Sequence, residues 1–255
     1  MKTYLIHLIH SCLNFRSAEI DALCEMLHAK ITYEIKEGTP FCIVKTENGD
    51  SLSRVVSRSV LSRYAFEIWA AAGSYSELFT KVKTKLQDYQ ECFKGKPSYR
   101  FSVESFGRTL SQDYKVERIE EFGFLPLKGA VKLKDPEIEF CVVEYYTSPR
   151  DQTSVDLKTV FFGKMIAHGC CRTPYLYDLK HRKYIGNTSM DPLMSFLMNN
   201  IGKVRQYDLV YDPFVGSGES VCSSSHRLFV RLLWFVMCSA FSSLRYFYYK
   251  VLISA

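Results

Sequence analysis

The segment Asp212-Pro213-Phe214-Val215-Gly216-Ser217-Gly218 contains residue types that could bind a small charged molecule. It follows the apolar stretch 207–211, which predicts a buried strand. Gly216 and Gly218 lack a Cβ, so the backbone can turn sharply and approach a ligand closely. Backbone N–H groups at such a turn attract a carboxylate or phosphate, and Asp212 at the strand tip is placed to engage an amine. The loop therefore suits a zwitterionic ligand, although a tight turn would also explain two glycines alone.

The complete loop string is more specific. It resembles the first cofactor motif of the S-adenosylmethionine-dependent amino-methyltransferases, which modify exocyclic nitrogens of bases. Upstream, residues 183–192 and their spacing to the loop resemble the start of the catalytic domain in the eukaryotic tRNA (guanine-10-N2) methyltransferase family. Phe162-Gly163-Lys164 and residues 175–180 are similar to the same family. The resemblance covers about residues 1–218.

This resemblance implies a lineage of enzymes that transfer a methyl group from S-adenosylmethionine to N2 of guanosine 10 in tRNA. It implies that five loop residues bind the cofactor, namely Asp212, Phe214, Gly216, Ser217 and Gly218. For residues 1–155 it implies a ferredoxin-like subdomain followed by a THUMP domain, a module that holds the tRNA acceptor end. The expected partners are tRNA and a small zinc-binding activator subunit shared among methyltransferases.

The sequence departs from the family after Gly218. The family has a short apolar helix there, then a strand ending in an acidic residue that holds the cofactor ribose. An Asp/Asn-Pro-Pro-Tyr motif follows much later, which grips the target amino group and stacks the flipped-out guanine. No proline follows Pro213 in this chain, so that motif is missing. We therefore assign no catalytic residue and expect this chain to be inactive alone.

We predict that residues 219–255 are a divergent hydrophobic tail. This tail resembles the alternative C-terminus of a truncated form of the protein. The longest uncharged stretch of the tail is 232–244. Its thirteen residues fall short of the roughly twenty that a membrane-spanning helix needs. We therefore expect no membrane anchor.

The positive charge of the chain is concentrated in residues 51–134, which carry fifteen basic and nine acidic side chains. Such an excess attracts a polyanion such as RNA, but a solvated helix face explains it as well, and charge alone favours the solvated face. Lys128, Lys132 and Lys134 are the candidate RNA contacts, and ordinary solvated lysines remain the alternative for each.

The nine cysteines form no Cys-x-x-Cys pair, and their number is odd. Reduced thiols in a cytosolic or nuclear protein are the simplest interpretation, and we expect a cytoplasmic location. The cluster His168-Gly169-Cys170-Cys171 lacks the further ligands that a zinc ion needs, so we predict no metal site.

The periodicity of the chain predicts an α/β protein. Strands are predicted at 2–9, 41–46, 99–103, 129–133, 137–146, 159–164 and 207–211, and helices at 15–30, 55–72, 75–93, 111–122 and after Asp191, the predicted N-cap. The predicted organisation is a ferredoxin-like/THUMP RNA-binding region at 1–155, a linker at 156–185, the start of a Rossmann-like methyltransferase domain at 186–218, and the tail at 219–255. Two alternatives to an enzyme stay open: a non-catalytic tRNA-binding module and an unstable splice product.

Overall fold

The structure is a computed structural model that describes residues 1–147, 156–177, 190–206, 208–212, 231–235 and 248–249. The strands are β1 Lys2–Leu8, β2 Thr32–Ile35, β3 Phe41–Thr46, β4 Ser62–Ala72, β5 Tyr99–Phe106, β6 Ile138–Thr147, β7 Asp156–His168, β8 Leu209–Asp212, β9 Arg231–Phe235 and β10 Tyr248–Tyr249. The α-helices are α1 Arg16–Leu27, α2 Gly49–Arg58, α3 Tyr75–Lys85, α4 Gln112–Glu120 and α5 Pro192–Ile201. Short 3-10 segments occur at Leu13–Phe15, Leu86–Phe93, Glu121–Phe124 and Thr173–Tyr177.

Seven strands form one sheet in the order β2-β3-β1-β4-β7-β6-β5. The first four, with α1 and α2 between them, follow one another as β-α-β-β-α-β, which is the ferredoxin-like arrangement. At the other end of the sheet, β5 pairs in parallel with β6, and β6 pairs antiparallel with β7. The mixed α/β class and the ferredoxin-like start are therefore confirmed. The predicted domain boundaries stay a prediction.

The chain divides into two compact units. The first comprises Met1–Leu5, Ile43–Glu47 and Ala65–Ala167, and the second comprises Ile6–Cys42, Asn48–Tyr64 and His168–Ala255. No helix in the described part of the chain is long and apolar enough to cross a membrane.

The core of the first unit is aromatic. Phe140 on β6 and Phe162 on β7 are fully buried, and their rings stack with centroids 5.9 Å apart. Trp69 on β4 meets both rings edge-on and stacks on Tyr89 at 4.0 Å. The 3-10 segment Glu121–Phe124 adds Phe122, whose ring lies 4.5 Å from that of Phe162. Offset and edge-on pairs are the geometries that aromatic rings prefer, so much of the aromatic content of the chain serves packing.

The second unit is organised around the buried carboxyl group of Glu19 on α1. That group accepts hydrogen bonds from the hydroxyl of Ser59 at 2.6 Å and from the amides of Val60 at 2.8 Å and Leu61 at 3.1 Å. The side-chain amide of Asn200 on α5 donates to it at 2.7 Å. A buried carboxyl group is costly unless such donors surround it, so Glu19 joins α1, α5 and the segment after α2 at one point.

The predicted helix at 55–72 is wrong. α2 ends at Arg58, and the chain continues as strand β4 from Ser62 to Ala72. Tyr64, Ala65 and Phe66 are all buried, because β4 is a central strand covered on both faces. Such a strand is a continuous apolar run without alternation, and periodicity cannot distinguish it from a buried helix.

Smaller differences concern the ends of elements. Asn48 caps α2 by accepting a hydrogen bond from the Ser51 amide at 3.1 Å, so this helix begins at Gly49, before the predicted start at 55. Strand β2 was not predicted, since its side chains alternate only between exposed and half-buried. The predicted strand at 129–133 is reduced to a single bridge between Tyr99 and Val131.

We predict that Glu19→Ala lowers the free energy of unfolding by about 4 kcal/mol or more, because four donors lose their acceptor and each unsatisfied buried donor costs about 1–3 kcal/mol. Urea denaturation followed by circular dichroism measures this change. The matched control is Glu25→Ala on the same helix, which removes a carboxylate that is 70% exposed and paired with Lys203. Equal denaturation midpoints for the two variants would show that the Glu19 cluster does not stabilise the fold.

Candidate nucleic-acid interface and cofactor loop

The predicted cofactor loop is preceded by a strand, as the sequence predicts. Asp212 is the last residue of β8, and β8 pairs in parallel with β9. The carboxyl ends of parallel strands are where α/β sheets bind ligands. Phe214, Gly216, Ser217 and Gly218 lie outside the described residues. Binding of a cofactor by the five predicted residues therefore stays a prediction.

The helix that precedes this strand begins as predicted. The Asp191 carboxylate accepts hydrogen bonds from the amides of Leu193 at 2.8 Å and Met194 at 3.2 Å, and Pro192 occupies the first turn. The helix α5 buries Phe196 and Leu197 in a cluster with Val60 and Leu61. These apolar contacts, together with the Asn200 hydrogen bond to Glu19, hold the helix in the second unit.

The three candidate RNA-binding lysines lie at the edge of the large sheet. The segment that carries them runs beside the first residue of β5: the Tyr99 amide donates to the Ala130 carbonyl at 3.0 Å, and the Lys132 amide donates to the Tyr99 carbonyl at 2.9 Å. Lys128, Lys132 and Lys134 are all exposed. Within the described part of the chain, none of the three has a carboxylate within 4.0 Å. Their charges are therefore available to a ligand.

A close backbone contact fixes this lysine segment, residues 128–134, against the turn before β5. A Cβ on Gly129 would lie 1.8 Å from the carbonyl oxygen of Pro97 and 2.8 Å from that of Lys96. Only glycine fits such an approach. Lys96 is itself exposed, and the contact brings its backbone to the same corner as Lys128. Lys96 was not predicted as a contact, although the turn string Gly95-Lys96-Pro97 is a signal that points to it.

One acidic residue reduces the positive charge around the lysine segment. Glu137 accepts hydrogen bonds from the Ser98 amide at 2.7 Å and the Ser98 hydroxyl at 2.9 Å. These bonds, with a smaller contribution from Lys132, lower the pKa of the Glu137 carboxyl below its usual value. Glu137 is therefore ionised at neutral pH and offsets part of the charge of Lys132. The exposed side chains of Val131 and Leu133 alternate with the lysines. The lysine segment thus combines exposed cations with exposed apolar side chains.

The described cysteines are buried or half-buried. Burial raises the pKa of the Cys24 thiol to about 11 and that of Cys42 to about 12, so both stay protonated at neutral pH. The Cys170 thiol donates to the Ser57 carbonyl, and burial raises the pKa of Cys171. Among the described residues, no three His, Cys, Asp or Glu side chains come together as metal ligands.

The chain is similar in sequence to known proteins. The sequence profile of the family described as "Tmrp11 THUMP N-terminal domain" matches residues 2–171. The tRNA (guanine(10)-N(2))-methyltransferase TRMT11 of Mus musculus is 34% identical over 229 residues, which are 89% of this chain and 50% of the mouse protein. The tRNA (guanine(10)-N(2))-methyltransferase of Saccharomyces cerevisiae is 31% identical over 231 residues, which are 89% of this chain and 53% of the yeast protein.

The fold has a counterpart among solved structures. TrmN from Thermus thermophilus superposes with a TM-score of 0.54 at 16% sequence identity, over 90% of this chain and 64% of that protein. At this identity the similarity concerns the fold alone. The chain spans about half the length of the curated relatives it matches. Because the family profile covers most of the chain and the described fold agrees with it, the chain belongs to the Tmrp11 THUMP N-terminal domain family.

Proposed function

We propose that this chain binds tRNA through its first compact unit and descends from enzymes that methylate N2 of guanosine 10 in tRNA. The observation that carries the proposal is the lysine segment: three exposed cations without carboxylate partners among the described residues, at an edge of the sheet that the family profile covers. The names of the mouse and yeast relatives supply the class of substrate.

Local electrostatics favour a polyanionic ligand at the lysine segment. Residues 65–134 of the first unit carry twelve basic and nine acidic side chains, and the lysine segment ends this stretch. Each phosphate that a lysine neutralises releases condensed counterions, so binding weakens steeply as salt rises. The exposed apolar side chains of Val131 and Leu133 lie where they can contact sugars and bases between those phosphates.

S-adenosylmethionine is the proposed cofactor of the second unit. Asp212 would engage its amine, and the turn through Phe214, Gly216, Ser217 and Gly218 would receive its carboxylate. The position of Asp212 at the carboxyl end of a parallel strand supports this assignment. The bound group would supply the methyl that is transferred. A small zinc-binding activator subunit is the proposed protein partner, and the cytoplasm is the proposed location.

The 255 residues contain no Asp/Asn-Pro-Pro-Tyr string, and we assign the catalytic role to none of them. Transfer to an exocyclic nitrogen requires that the base be extruded and held at its edge by hydrogen bonds and stacking. The chain by itself is therefore proposed to bind tRNA without methylating it. This is the non-catalytic binding module that the sequence left open, and the aromatic core of the first unit favours it over an unstable product.

We predict that replacing Lys128, Lys132 and Lys134 together by alanine weakens binding of a tRNA transcript roughly tenfold or more near 100 mM salt. The slope of log affinity against log salt should fall by about two to three, since each phosphate contact contributes about 0.7–0.9. Fluorescence anisotropy between 50 and 200 mM KCl measures both. The matched control replaces Lys30, Lys36 and Lys45, which lie in a segment of net negative charge. Equal losses in both triple variants, or no salt-dependent binding by the unaltered chain, would contradict the proposal.

We predict that Gly129→Ala weakens tRNA binding about fivefold although it removes no charge. The new Cβ would lie 1.8 Å from the Pro97 carbonyl oxygen, so the lysine segment must move away from the turn at 95–97. The control is Gly123→Ala, since a Cβ at Gly123 meets nothing within 4 Å. The same anisotropy titration compares them. Unchanged affinity for Gly129→Ala would show that the placement of the lysines is unimportant for binding.

We predict that the chain transfers no methyl group above background to unmodified tRNA. The assay supplies S-adenosylmethionine with a labelled methyl and measures label retained on the RNA, with and without the activator subunit. A full-length relative with its activator serves as the positive control. Incorporation by the 255-residue chain would overturn the assignment of a binding role without catalysis.

A further inference from the structure

Arg108 lies over two tyrosine rings at the carboxyl end of β5. Its guanidinium carbon lies 5.7 Å from the ring centroid of Tyr114 and 5.5 Å from that of Tyr146. The turn that places it is fixed by Gly107, whose φ is +91°, and by a hydrogen bond from the Ser105 hydroxyl to the Arg108 carbonyl oxygen. The Arg108 side chain is nevertheless exposed. An exposed arginine is ordinarily mobile, whereas this one is restrained by two ring contacts.

The two rings are themselves fixed by a buried acid. The carboxyl group of Glu144 on β6 is fully buried and accepts hydrogen bonds from the hydroxyls of Tyr114 at 3.0 Å, Tyr146 at 2.8 Å and Tyr75. Burial is the main cause that raises the pKa of all three tyrosines, so their hydroxyls remain donors. Three donors satisfy a group that would otherwise be costly to bury. The aromatic support beneath Arg108 is therefore rigid.

A second arginine in the same cluster has a different charge environment. Arg118 on α4 shares the Tyr114 ring with Arg108, at 4.8 Å from its centroid, and lies 5.0 Å from the ring centroid of Tyr75. Its terminal nitrogens are paired with Glu121 at 2.5 Å and with Glu117 at 3.6 Å. Arg108 has no carboxylate within 4.0 Å in the described part of the chain. Of these two cations, Arg108 is the one with charge and N–H donors left for a ligand.

The guanidinium of Arg108 contacts two aromatic rings and its side chain is exposed, so its N–H groups can reach a ligand. The N–H groups of a guanidinium match two oxygens of a phosphate, and a restrained side chain loses less conformational freedom on binding. We propose that Arg108 is a phosphate contact for RNA, distinct from the lysine segment and supported by Tyr114, Tyr146 and Glu144. The inference rests on the tRNA binding proposed above and extends it to a second point of contact.

The two contacts lie at opposite ends of one strand. The lysine segment is bonded to Tyr99, where β5 begins, and Arg108 follows Phe106, where β5 ends. Eight residues at about 3.3 Å each place the two groups roughly 25 Å apart. The RNA is therefore inferred to run along the edge of the sheet beside β5, with phosphates neutralised at both ends of the strand.

The test is a titration of a tRNA transcript with the full chain carrying Arg108→Ala, followed by anisotropy at several salt concentrations. Affinity should fall about fivefold, and the salt slope should fall by about one. Arg108→Lys should restore the slope but only part of the affinity, because an ammonium cannot offer two parallel N–H groups. The matched control is Arg54→Ala, which removes an exposed arginine on α2 that hydrogen-bonds the Ser51 hydroxyl. Thermal melting by circular dichroism confirms that each variant is folded.

Each outcome separates this inference from the proposed function. If Arg108→Ala binds within twofold of Arg54→Ala while the triple lysine variant loses binding, tRNA binding stands and the role of Arg108 is wrong. If Arg108→Lys equals the unaltered chain in affinity and slope, charge alone acts and the inferred role of the guanidinium is wrong. If the unaltered chain binds no tRNA, both proposals fall. A fivefold loss with a reduced slope, only partly recovered by lysine, supports the inference.

Discussion

The parallel pairing of β5 with β6 is the constraint on which the proposed interface depends. Two parallel neighbours cannot be joined by a tight turn, so the chain must leave the carboxyl end of β5 and return to its opposite end. Residues 107–137 make that crossing, and they carry nearly every side chain discussed as a contact. Arg108 lies at the start of this connection, and the lysine segment lies near its end. The separation of the two basic groups is thus a consequence of strand direction and strand length.

Residues 107–137 also contribute side chains to the aromatic core and to the cluster around Glu144. Tyr114 and Arg118 on α4 belong to the cluster around Glu144, and Phe122 enters the aromatic core beside Phe162. Buried carboxyl groups play a similar physical part in both units: Glu144 holds tyrosine rings beneath Arg108, and Glu19 holds α1 to α5. In each case several donors converge on one group, which makes its surroundings rigid. Rigidity of this kind benefits a binding surface, because less freedom is lost when the ligand arrives.

The elements that could be predicted were those with a strong local signal. Strands β1, β3, β6 and β7 were expected from alternation and apolar runs, and the start of α5 from Asp191 followed by Pro192. The helix expected at 55–72 failed, because β4 is buried on both faces and its burial depends on strands distant in sequence. The lysines at 128, 132 and 134 were named from sequence, whereas Lys96 and Arg108 were not. Lys96 becomes a candidate because its backbone lies close to Gly129, and Arg108 because it lies over Tyr114 and Tyr146. Local sequence patterns do not reveal such contacts.

The sequence by itself determined the family and predicted the cofactor loop at 212–218, because residue order alone carries a motif. It also determined that no Pro-Pro-Tyr string is present. Only the tertiary structure decided which cations could act together. Charge is a property of composition, but a binding surface requires that charges be exposed, left unneutralised by nearby carboxylates and held at a defined spacing. Those properties arise because β5 is the edge strand of the sheet. Long-range hydrogen bonds, to Tyr99 at one end of β5 and to Glu144 at the other, hold the segments on either side of this strand.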